Sequence, residues 1–152
     1  MNRYEELEDQ ARGLGLSVRE KPLQYNDGRI KGRQVLIRST LPTTTEKASV
    51  LAEELGHHLT AVGDILDQGD AWNRKKELQG RAWAYNRLIG LSGIVRAYKA
   101  GCRNAYEMAE LLGVTEEMLV DALAYYRGKY GVCARMQDYV IYFEPLGVIE
   151  KK

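Results

Sequence analysis

The chain has 152 residues, 45% of them hydrophobic and 28% charged, with a formal net charge of +1. This is enough chain for one domain over residues 1–152 with a sizeable core, and the near-neutral balance argues for neither a nucleic-acid footprint nor an acidic tail. Met1 leads straight into the polar stretch NRYEELEDQ and no apolar run is long enough to span a bilayer, while Cys102 and Cys133 share no framework spacing; a cytoplasmic protein with free thiols is the expectation.

Residues 2–14 carry Tyr4, Leu7, Ala11 and Leu14 at 3–4 spacing, which predicts a short amphipathic helix ending at Gly13 or Gly15. LSVREKPL reads as a first strand, Asn26-Asp27-Gly28 as a turn, and residues 34–38, QVLIR, as the clearest β run of this half. The stretch from Thr45 to Leu59, TEKASVLAEELGHHL, predicts the central helix. Thr44 or Thr45 is its expected N-cap, and Glu46 lies in the first turn, where the helix dipole favours an acid. Ala48, Leu51, Ala52, Leu55, Leu59 and Val62 form its apolar stripe.

Gly63 is the expected end of that helix, and GDILDQGDAWN reads as a loop. A second helix is expected from about Asn73 to Ile89, with Leu78, Ala82, Tyr85 and Ile89 on one stripe and Gly90 as its stop. Leu91 to Ala100 is a further amphipathic segment. Asn104 to Leu112 and Thr115 to Tyr130 form a helix–turn–helix pair about Gly113, and CARMQDYVIYFEP alternates as a C-terminal hairpin or strand would. Strands, then helices, then terminal strands define an α+β domain.

The helix–turn–helix pair resembles a DNA reader in outline only. Its second helix carries Glu116, Glu117 and Asp121, and its bases arrive late, at Arg127 and Lys129. Such a charge pattern repels phosphate, so direct nucleic-acid binding is not expected and helix packing accounts for the pair. Tyr125, Tyr126, Tyr130, Tyr139, Tyr142 and Phe143 read as core with hydroxyls at the rim, the alternative being a partner surface.

Chemistry concentrates on the central helix. At about 100° per residue, Glu53 and His57 project within about 40° of each other and can reach one metal ion, with Glu54 beside that point. The zincin pattern H-E-x-x-H sets two His ligands around a general-base Glu; here Glu53-Glu54-Leu55-Gly56-His57 puts a carboxylate at the first ligand position. A carboxylate binds Zn²⁺ at nearly the same distance as imidazole, but makes a harder site that also accepts Mn²⁺ or Fe²⁺. The same spacing also suits an ordinary solvated helix face. Thr60 stands where a metzincin continuation needs Gly. Glu77 is the better third ligand, unless it is simply the i,i+4 partner of Arg81; Asp64 and Asp67 are fallbacks, and His58 projects about 100° away from His57.

Taken together, VLAEELGHHLTAVGDILD and NRKKELQGRAWAYNRLIG resemble the ImmA/IrrE family of metallo-endopeptidases, in its phage and mobile-element branch. The family's motifs are L-A-H-E-L-G-H, then E-x-x-A-[ND]-x-F-A. Glu54 and His57 match the catalytic Glu and second His, and Glu77 matches the third-ligand Glu. Glu53 replaces the first His, Gly80 the small Ala, and Arg81 the Asn or Asp. Trp83 and Ala84 match the aromatic–Ala pair, and Gly90 falls at the family's Pro. The resemblance implies a minimal, gluzincin-like zincin: a small antiparallel sheet on an active-site helix, with additional C-terminal helices. It also implies Zn²⁺ held by Glu53, His57 and Glu77, Glu54 as catalytic base, and a cognate helix-turn-helix repressor as substrate. The alternative is an inactive, antirepressor-type binder of that repressor. A substrate strand is expected along the 34–38 run.

Overall fold

A computed structural model describes residues 1–60 and 69–151, with side chains from residue 73 onward in the second stretch. The expected end of the central helix at Gly63, and Val62, Asp64 and Asp67, lie outside the described residues. Where chain length suggests a single domain over 1–152, the contacts cluster into two compact units, Met1–Ala84 and Tyr85–Lys152.

The first unit opens with α1 (Arg3–Gly13), held by a reciprocal cap: the Glu5 N–H donates to Asn2 Oδ1 at 2.8 Å and the Asn2 N–H to Glu5 Oε1 at 3.1 Å. Three short strands follow, β1 (Ser17–Lys21), β2 (Gly28–Lys31) and β3 (Gln34–Arg38), in the spatial order β1-β3-β2. β3 runs parallel to β1 and antiparallel to β2, so this sheet is mixed, not purely antiparallel. The order also corrects one expectation. The 34–38 run is the central strand with both edges paired, so it offers no edge to a substrate. It is the most apolar of the three and so takes the most buried place, with Val35, Leu36 and Ile37 all buried.

Helix α2 (Thr44–Thr60) packs on one face of this sheet. Its cap is Thr43, whose Oγ1 accepts the Glu46 N–H at 3.0 Å; the expected caps Thr44 and Thr45 lie inside the first turn. Ala48, Leu51, Ala52 and Leu55 are buried as the stripe predicts, and Leu7 and Ala11 of α1 complete the core. Helix α3 (Gly69–Leu88) begins before Asn73, so residues 69–73 are helical and not loop. Its buried stripe also differs from the expected one. Tyr85 and Ile89 are buried as expected, but Leu78 is 52% exposed and the small Gly80 and Ala84 turn inward with Leu88.

The second unit comprises α4 (Gly90–Lys99), α5 (Ala105–Leu112), α6 (Glu116–Tyr130) and an antiparallel meander of β4 (Cys133–Met136), β5 (Tyr139–Phe143) and β6 (Leu146–Glu150). Asn104 and Thr115 cap α5 and α6, and Gly113 makes the left-handed turn between them at φ 71°. Of the tyrosine-rich set, Tyr126, Tyr139 and Phe143 are core, Tyr125 and Tyr142 are half-buried, and Tyr130 is exposed. Tyr126 and Phe143 are buried with ring centroids 6.0 Å apart, and the Tyr126 hydroxyl donates to Asn86 Oδ1 and accepts the Gly90 N–H. Both cysteines are free. Among the described residues, no helix is long and apolar enough to cross a membrane.

Candidate active site on helix α2

Two glycines let α2 and α3 touch backbone to backbone. A Cβ on Gly56 would lie 2.2 Å from the carbonyl oxygen of Gly80, and a Cβ on Gly80 would lie 1.9 Å from Cδ2 of His57. The His57 ring therefore occupies the space that a side chain at position 80 would fill. Gly inside a helical pattern usually weakens the helix, and here it is required by this close approach. Lys76 Nζ donates to the Thr60 carbonyl at 3.0 Å, neutralising the C-terminal end of α2.

From that crossing, His57 Nε2 points at α3. It is buried, lies 3.1 Å from Glu77 Oε2, and makes no hydrogen bond. Two donor atoms bonded to one tetrahedral ion at about 2.0–2.1 Å are separated by about 3.3 Å. The separation seen is therefore close to that of two ligands sharing a cation. Glu77 Oε1 faces Arg81 Nε at 3.4 Å, so the neighbour that offered the ordinary explanation for Glu77 is present too, on the other carboxylate oxygen. Arg81 thus orients the carboxylate while leaving Oε2 to His57.

Glu54 lies on the other side of the imidazole, its Oε1 4.0 Å from His57 Nδ1. Burial, followed by the negative charges of Glu53 and Glu77, pushes its carboxyl up to about 7. A general base works best with its pKa near the operating pH. Strand β2 contributes to this environment. Gly28 faces α2, where a Cβ would meet Val50 Cγ1 at 2.5 Å and Glu54 Cγ at 3.2 Å. A residue first read as part of a turn thus keeps the outer strand beside the carboxylate, and β2 is the edge of its sheet.

The fold sets Glu77 beside His57 Nε2 and Glu54 beside His57 Nδ1, whereas the helical spacing paired Glu53 with His57. Glu53 is half-buried, and its charge reaches Glu54. Among the described residues, however, no three His, Cys, Asp or Glu side chains are gathered as a metal-holding cluster. His57 and Glu77 fit a cation as they stand. Glu53 does not yet close the set. Sequence reasoning missed the packing roles of Gly56, Gly80 and Gly28; the signal for the first two was a glycine within each helix. Neutralising Arg81 as Arg81→Ala frees the Glu77 carboxylate to rotate. The expected result is a loss of metal affinity of about 10-fold to 100-fold with an unchanged circular dichroism spectrum; equal affinity by calorimetry would show that Arg81 is a surface ion pair only.

A sheet backed by a helix that carries E-E-x-x-H, with a second helix delivering a glutamate to its histidine, defines the zincin-like class. Within that class, the family model for the IrrE N-terminal-like domain, peptidase family M78, matches residues 11–124, and the chain belongs to this family. No curated protein matches the chain. The family is one of metallopeptidases, so a metal cofactor is implied by membership.

Proposed function

We propose that this protein is a zinc-dependent endopeptidase that cleaves a cognate helix-turn-helix repressor of a phage or mobile element. The observation that carries the reading is the buried, unbonded His57 Nε2 facing the Glu77 carboxylate, with Glu54 on the far side of the ring. His57 and Glu77 would hold the cation, Glu53 would complete the set, and Zn²⁺ is favoured over Mn²⁺ or Fe²⁺ by the imidazole donor. Once bound, the cation supplies Lewis acidity toward water and the scissile carbonyl. Glu54 accepts the proton of the attacking water and returns it to the leaving amine, a role its raised carboxyl pKa suits. The substrate main chain would add to the free edge of β2, which runs past Glu54, and not to β3.

A second reading is a non-catalytic, antirepressor-type protein that binds the same repressor. It is favoured by the carboxylate at position 53 and by the absence of a three-group cluster among the described residues. Zinc titration decides between them. Protein prepared without chelator is expected to carry one Zn²⁺, and Glu77→Ala to lose it with the fold intact. A folded wild-type chain that takes up no Zn²⁺, Mn²⁺ or Fe²⁺ would overturn the peptidase reading in favour of the binder.

A further inference from the structure

The overall charge of +1 conceals a strong sorting of charge across the N-terminal sheet. Partners in register project to the same face, and successive residues to opposite faces. One face is fixed by its contacts with α2: Gly28 meets Val50 and Glu54, and Glu20 pairs with Lys47 at 2.8 Å; Val35 and Ile37 are buried on this face, and Leu36 is buried, at 6% exposure, on the other. The opposite face is then read from the register. Arg19, Leu36 and Arg29 form one row across the three strands, Lys31 lies beside Gln34 in the next, and Lys21 beside Arg38 in the third. Five cations occupy an area of roughly 14 by 10 Å, given a rise of about 3.4 Å per residue and about 4.8 Å between strands.

Arg19, Lys21, Arg29 and Lys31 are exposed, and none takes part in an ion pair among the described residues. Arg38 is the exception, with Asp27 at 3.4 Å. The acid of β1, Glu20, points to the other side. Such segregation is electrostatically unfavourable for the isolated fold, since like charges directly across a sheet repel. Tyr25, in the β1–β2 connection that follows Lys21, is 91% exposed and offers a ring to an unstacked base.

We propose that this outer sheet face docks the phosphate backbone of a nucleic acid, without reading its sequence. A phosphodiester chain carries the dense, single-sign charge that matches such a face, and base stacking on Tyr25 favours it over an acidic peptide. The face lies across the sheet from Glu54, so docking leaves the candidate active site open. The expectation of no nucleic-acid contact rested on net charge and on α6; strand register, which neither reports, separates the charges.

The test is fluorescence anisotropy of the intact protein with a labelled 20-nucleotide single strand and the matching duplex across a salt series. Binding is expected with a slope of log affinity against log salt of about −3 to −4, the value for roughly four phosphates neutralised. The triple variant Arg19→Gln, Arg29→Gln, Lys31→Gln is expected to lose at least about tenfold in affinity and most of that slope. A control with the same loss of charge, Arg103→Gln, Lys129→Gln, Arg135→Gln, is expected to bind as wild type. No binding at low salt, equal loss in the control, or equal affinity for polyglutamate or anionic vesicles would overturn the proposal. None of these readouts involves hydrolysis or metal, so the result stands apart from the peptidase reading.

Discussion

Glu54→Gln is expected to abolish peptide hydrolysis and, in the same protein freed of metal, to raise stability. The first effect follows from the proton-acceptor role proposed for Glu54, worth about 10²- to 10⁴-fold in rate. The second follows from the cost of the charge. Glu54 is held at about 7 against an ordinary value of 4.5, by burial first and then by Glu53 and Glu77. Between those two values the folded protein keeps a proton that the unfolded chain has released. Native stability therefore falls as pH rises through the window. At about 1.36 kcal/mol per unit the whole gap corresponds to about 3 kcal/mol, and a buried amide recovers part of it, so a gain of about 1–3 kcal/mol at pH 8 is expected. Below pH 4.5 both side chains are neutral and the gain disappears. Urea unfolding of both proteins in chelator at the two pH values measures this. An equal gain at both would place the origin in packing and not in charge.

The glycine crossing carries the second large effect, and its two members are expected to fail differently. At Gly56 the added methyl meets the backbone oxygen of Gly80, which cannot move aside without separating the helices. Overpacking of this kind costs about 1–3 kcal/mol or more, against a helix-propensity gain of about 1 kcal/mol for Ala over Gly. The 2.2 Å approach to a backbone atom puts the cost at the upper end, so Gly56→Ala should lose up to about 2 kcal/mol net, a fall in Tm of up to roughly 4–8 °C for a chain of this size. At Gly80 the methyl meets a side chain, the His57 ring, which can rotate out. Gly80→Ala is expected to stay folded within about 1 kcal/mol of wild type, because the displaced ring is offset by the better helix former. It should nevertheless lose metal binding, since Nε2 no longer faces Glu77. Paired thermal melts and zinc titrations separate the two. If Gly80→Ala binds zinc like wild type, His57 is not held by this cradle.

Both variants show why fold and site were legible to different degrees. The stripe of Ala48, Leu51, Ala52 and Leu55, the β run 34–38, and the starts of α5 and α6 at Asn104 and Thr115 were all readable, because each expresses a local period or a local helix-start signal. The stripe proposed for α3 was legible only in part: Tyr85 and Ile89 are buried as expected, but Leu78 is exposed while Gly80 and Ala84 are buried. There the partner surface is another helix backbone, and close approach selects small residues over large apolar ones. Hydrophobic pattern cannot report that preference.

By itself, the sequence determined the α+β order of elements, the placing of Glu54 and His57 on one helix, and the family to which the chain belongs. These depend on residue types at short spacing, where helix and strand geometry leave little freedom. Only the tertiary structure decided that β3 is the centre of its sheet and β2 the edge beside Glu54. It alone decided that Gly80 makes room for the His57 ring, and that five cations of a nearly neutral chain share one face. Each of those outcomes depends on strand order, register or helix approach. Such relations join residues distant in the chain, and no local spacing encodes them.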